Sequence, residues 1–126
     1  MEVLNESYIR LSEAVNDDNK ILASENLSLF GSKILNKNKR RIDGHFSRLA
    51  ELDREYQGYL RPRGAINDLN MRNAQLGILT LSRKMAVDAI GNYETAISGF
   101  DAGFKFQISS TIAFLAFLIS VLGLIF

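Results

Sequence analysis

Five bases fall within nine residues of this 126-residue chain: Lys33, Lys37, Lys39, Arg40 and Arg41. Side chains of this kind at this density attract anions. Anionic lipid headgroups are one fitting partner, at about 1 kcal/mol per charge near a membrane surface. Nucleic-acid phosphates are another. Water alone is the third, and it is the commonest partner of a charge run. No zinc ligands, recognition helix or interleaved aromatics accompany the bases, so nucleic acid is the weakest of the three. The single imidazole, His45, has no second His and no Cys with which to share a metal. Asp43, two positions earlier, cannot share its helix face. His45 is therefore expected to be a surface or packing residue. No nucleophile elbow, phosphate-binding loop or dinucleotide fingerprint occurs, and the carboxylates are scattered over polar positions. The expectation is no catalytic residue, no metal, no cofactor and no enzyme.

What remains is physical rather than catalytic, and the end of the chain dominates it. Phe106 to Phe126 reads FQISSTIAFLAFLISVLGLIF, 21 residues without a charge or a proline. As a helix it spans about 31 Å, the thickness of a bilayer's hydrocarbon core. A core helix of a small soluble domain needs a polar face, and this run has none. The expected topology is a tail anchor, with residues 104–126 crossing the membrane once and residues 1–103 forming a cytosolic body. Lys105 flanks the near side, in agreement with the positive-inside tendency. Within the span, Ala113, Ala116, Ser120 and Gly123 continue from Ser109 at alternating spacings of four and three. Such a small-residue face lets helices approach closely in lipid, so these positions are expected to carry anchor self-association.

The body reads as long amphipathic helices near 3–30, 32–60 and 65–98. Leu4, Tyr8, Leu11, Val15, Leu22 and Leu29 form the first stripe, with Gly31 as its expected end and the polar run 16–20 as a candidate break. Leu35, Ile42, Phe46, Leu49, Tyr56 and Leu60 form the second, with Asp53 in one core-phase position. Pro62 then interrupts the pattern, within Arg61 to Gly64. The third stripe starts at Leu69 and runs Leu76, Leu79, Ala86, Ile90, Tyr93, Ile97 and Phe100, a heptad pattern with Arg83 as its one charged member. Arg83 is expected to reach the body's edge or to pair with a carboxylate. Between this stripe and the span, Gly99 and Gly103 offer either a hinge or a close helix contact.

Charge is divided along the chain. Residues 1–32 hold six acids and two bases, net −4; residues 33–63 hold nine bases and four acids, net +5; the remainder balances. Either the first two segments lie side by side or they present separate solvated faces. The fold class is thus all-α: an elongated helical bundle or coiled coil with one C-terminal transmembrane helix. The expected function is a structural or interaction role at a membrane. The bilayer is one partner, a second copy or another protein the other, and Leu76, Leu79, Ile90, Tyr93 and Ile97 would carry assembly of the body. The alternative is a membrane-active oligomeric effector of the pore-forming, holin-like or cell-death kind.

Overall fold

A computed structural model describes residues 1–25, 31–60 and 69–125, the side chains of 69–71 excepted. Three helices account for almost all of these: α1 (Glu2–Ser24), α2 (Gly31–Leu60) and α3 (Leu69–Ile125), with no strand among the described residues. Leu29, the proline-bearing break at 61–64, the Leu69 side chain and Phe126 lie outside the described residues.

Cross-helix contacts fix the directions. The amino group of Met1 meets the Tyr59 hydroxyl at 3.2 Å, and Arg72 Nη2 donates to the Tyr59 carbonyl at 2.7 Å. At the other end Gly31 lies against Phe104. The three helices therefore run up, down and up, each packed on the other two. The core is the facing side of each: Leu4, Tyr8, Leu11, Val15 and Leu22 from α1; Leu35, Ile42 and Leu52 from α2; Leu79, Ala86, Ala89, Ile90, Tyr93 and Ile97 from α3. Each large side chain removed from water here stabilises the body by about 1.5–3 kcal/mol before chain entropy is counted.

Four expectations change in the structure. α1 stops at Ser24, where Glu25 turns extended (φ −78°, ψ 136°), although its polar run at 16–20 is continuous helix. The run survives because Asp18 is satisfied from α2, by His45 and Arg41. Gly31 opens α2 instead of ending α1. A Cβ there would run into the Phe104 ring, so the missing side chain is what lets α2 start against α3. The stripe of α2 also shifts in phase. Asn38 and Leu52 are buried and His45 is largely covered, whereas Phe46 and Leu60 stand exposed. Polar residues in core positions conceal such a stripe from a reading based on apolar spacing.

The fourth change concerns the anchor. The body helix and the apolar run are one helix of 57 residues, about 85 Å long, rather than two. Gly99 and Gly103 sit inside it with ordinary negative φ, so the hinge is not formed. A Cβ at Gly99 would meet nothing within 4 Å, so no other helix of this chain packs closely there.

Candidate functional site

α3 does two things in succession. Up to Phe100 its inward side is covered by α1 and α2; from Lys105 to Ile125 every residue is exposed. Among the described residues this is the one helix long and apolar enough to cross a membrane, and none of that apolar window is buried in the chain. Phe106, Ile112, Phe114, Phe117 and Ile119 all stand more than 60% exposed. An uncovered patch this large is not sustainable in water and marks a surface that something else must cover. Two polar side chains in the run are satisfied locally: Thr111 Oγ1 donates to the Gln107 carbonyl and Ser120 Oγ to the Ala116 carbonyl, 2.9 and 3.0 Å. Hydroxyls bonded back to the preceding turn carry no orphan donor into hydrocarbon.

Ala113, Ala116, Ser120 and Gly123 are exposed, and a Cβ at Gly123 would meet nothing. At about 100° per residue they point away from the Leu79–Ile97 stripe, roughly 130° round α3. The positions expected to assemble the body are arranged differently. Leu79, Ile90, Tyr93 and Ile97 are buried against α1 and α2, and Leu76 is half-buried. They pack inside one chain, and a partner reaches them only if the helices part.

Two polar layers cross the body's interior. In the layer far from the apolar run, Asp53 Oδ1 accepts from Tyr8 Oη (2.7 Å) and Arg83 Nε (2.8 Å), while Oδ2 accepts from Arg83 Nη2 (3.0 Å). The two charges that interrupt the second and third apolar stripes are thus each other's partners. Thr80 Oγ1 donates to the Leu76 carbonyl (2.7 Å), so the Tyr56 hydroxyl donates to Thr80 (2.8 Å). The Tyr56 ring stands edge-on to Tyr8 and lies 5.9 Å from the Arg83 guanidinium carbon. Burial pushes the Tyr8 phenol well above its ordinary value, and its bond to Asp53 adds to the rise. Burial alone would raise Asp53, but the bonds from Arg83 and Tyr8 outweigh it and hold the carboxyl below the usual range. The bond to Asp53 likewise raises Arg83.

The layer nearer the apolar run joins all three helices. Tyr93 Oη donates to Asn38 Oδ1, and Asn38 Nδ2 donates to the Ile34 carbonyl at 2.8 Å. The His45 ring meets Tyr93 edge-on, and its Nε2 lies 2.6 Å from Asp18 Oδ2. Arg41 Nη1 is 4.0 Å from Asp18 Oδ1. Burial raises the Tyr93 phenol, with the Asp18 charge adding to it. His45 is thus held by a carboxylate on another helix, a link that no local spacing reveals. Both layers are saturated by their own members, and among the described residues no three His, Asp or Glu side chains gather as a metal set. They set helix register rather than offer a free reactive group.

The five-base run divides. Arg41 turns inward to Asp18; Lys33, Lys37 and Arg40 share one outward stripe at i, i+4 and i+7; Lys39 is exposed on the other flank. The acidic α1 and basic α2 do lie side by side, but Asp18 is the α1 acid bridged to α2 among the described residues. No protein-family model, curated protein or solved structure matches the chain.

Proposed function

We propose that this chain is a single-span membrane protein whose helical body assembles with a second copy or a partner at the bilayer surface. The observation that carries the reading is the exposed, uncharged second half of α3. Lipid tails cover it without any further fold. In this reading 104–126 is the tail anchor, 1–103 the cytosolic body, and no catalysis is involved.

Support for assembly comes from the outward side of α3. Ile78, Leu81 and Met85 are 58%, 62% and 48% exposed at i, i+3 and i+7. At about 100° per residue the small face of the span lies roughly 100° further round α3 from these three, so a neighbouring copy that meets the apolar contacts above the membrane finds the close-packing residues beside, not directly in line with, them. Anchors confined to two dimensions raise each other's local concentration, so a weak body contact suffices. This moves the assembling residues of the body from the buried Leu79–Ile97 stripe to Ile78, Leu81 and Met85.

The test is the mass of the full chain in nanodiscs, beside a version ending at Gly103. The expected result is an oligomer for the full chain and a monomer or weak dimer without the span. A strictly monomeric full chain at working concentration removes assembly, and release of the full chain by alkaline carbonate removes the anchor.

The effector alternative draws on one feature. Gln107, Ser110 and Thr111 line a shallow groove with Gly103, Phe106 and Phe114 at the start of the run. Spans assembled through this groove, which lies about 150° round α3 from the small face, would set these polar groups towards one another. Liposomes that stay dye-tight at high protein loading end this alternative.

A further inference from the structure

We infer that Lys33, Lys37 and Arg40 form a basic face that engages the anionic headgroups of the leaflet into which α3 inserts. The inference rests on the anchor reading and adds a lipid preference to it.

The decisive contact is Gly31 against Phe104. It sets the first residue of α2 level with the residue before Lys105, the last charge before the apolar run. α2 then climbs away from the bilayer alongside α3. At about 1.5 Å per residue, Lys33, Lys37 and Arg40 lie roughly 3, 9 and 13 Å above that level. The headgroup layer on each side of a bilayer is about 5–7 Å deep, and charges act across about 8 Å at physiological salt. Lys33 therefore stands within the headgroups, Lys37 within their field and Arg40 at its edge. None of the three has a salt-bridge partner among the described residues, whereas Arg41, Lys105 and the distal Arg83 do.

The acids at this end do not cancel the face. Asp101 is taken by Lys105 at 3.2 Å, and Asp18 faces Arg41 and His45. Asp43, one turn beyond Arg40 on α2, Glu25 just past α1 and Glu94 on α3 remain, and Lys20 on α1 adds another base. A run of five bases would be unremarkable as a solvated face at the far end of the body. The same bases at the anchor end meet the most concentrated anion array available to the chain.

The experiment uses the full chain in vesicles. Co-flotation with neutral phosphatidylcholine vesicles first checks the anchor. Spin-labelled phosphatidylserine and phosphatidylcholine then compare headgroup association at low and at physiological salt. The expected result is co-flotation, with phosphatidylserine preferred by about fivefold or more at low salt and by less as salt rises. The variant with Lys33→Gln, Lys37→Gln and Arg40→Gln floats equally but loses most of the preference. Arg54→Gln, an exposed base near the opposite end of α2, leaves it intact. Equal association of the two lipids with the unaltered chain overturns the inference while leaving the anchor standing, as does a preference that persists in the triple variant. Failure to float with neutral vesicles overturns the anchor reading and this inference with it. Capture of a single-stranded oligonucleotide on neutral vesicles, without any phosphatidylserine preference, overturns it in favour of nucleic acid.

Discussion

The two halves of α3 are one uninterrupted helix with opposite fates. In the lower half, Leu79, Ala86 and Tyr93 are wholly buried. In the upper half, a more apolar sequence is wholly exposed. Hydrophobicity sets how strongly a residue leaves water, not what it leaves water for. Amphipathic α1 and α2 each offer one apolar stripe, enough to cover one side of α3 along the length of the body. Beyond Phe104 neither helix extends, and a side chain that is apolar all round needs a medium that is apolar all round. The contrast explains why the body needs polar layers and the span does not. Three stripes sliding on one another have many near-equal registers, and Asp53 with Arg83, or Asn38 with Tyr93, selects one.

The largest effects should separate the halves cleanly. Tyr93→Ala leaves a cavity at the meeting of all three helices and should cost the body about 3–5 kcal/mol. Phe117→Ala, in the exposed half, should change body stability by less than about 0.5 kcal/mol. Denaturant melts followed by circular dichroism, on full chains in the same nanodiscs, compare the two. Equal losses would mean that the upper half folds back on the body.

The reverse experiment acts on the span. Leu118→Arg should oppose membrane insertion by about 2.5–3.5 kcal/mol and leave the body's helical packing intact. Carbonate extraction reads the first and the denaturant midpoint reads the second. Retention equal to that of the unaltered chain would show that Leu118 does not face lipid tails.

A smaller effect probes register. Asp53→Ala strands Arg83 and Tyr8 and should cost about 1–2 kcal/mol, moderated because the Arg83 side chain is more than a third exposed. The same layer sets a pH window. Asp53 is depressed in the folded chain, so its contribution is present above the unfolded carboxyl value near 3.8 and is lost as pH falls through the lower folded value. Tyr8 is raised, so its contribution is present below the unfolded phenol value of 10.0 and is lost as pH rises beyond it. Thermal midpoints across pH should therefore be flat between these limits, and the acid limb should shrink in Asp53→Ala.

A change comparable to that at Asp53 is expected where the halves meet. Gly31→Ala drives a methyl into the Phe104 ring, which can rotate aside towards the interface, so the loss should be within about 1–3 kcal/mol. Adding Phe104→Ala should restore part of it. No restoration would mean that the start of α2 is held elsewhere.

Much of the body was legible in the sequence because helical periodicity is local. Leu4, Tyr8, Leu11 and Val15 on α1, and Leu79 through Ile97 on α3, read directly as buried stripes. Arg83 and Asp53 were each visible as an interruption, but a linear pattern does not pair residues 30 positions apart. His45 looked isolated because its carboxylate comes from Asp18 on another helix. Phe46 and Leu60 were misplaced because Asn38 and His45 hold core positions that apolar spacing overlooks.

By itself, the order of residues determined helix type, the apolar stripes and the 21-residue run that water cannot solvate, since each depends on neighbours within one or two turns. Tertiary structure alone decided that Arg83 meets Asp53, and that Gly31 sets the basic stripe beside the start of the apolar run. Those outcomes depend on which distant surfaces fit together, and steric fit between helices is not written in the spacing of any one of them.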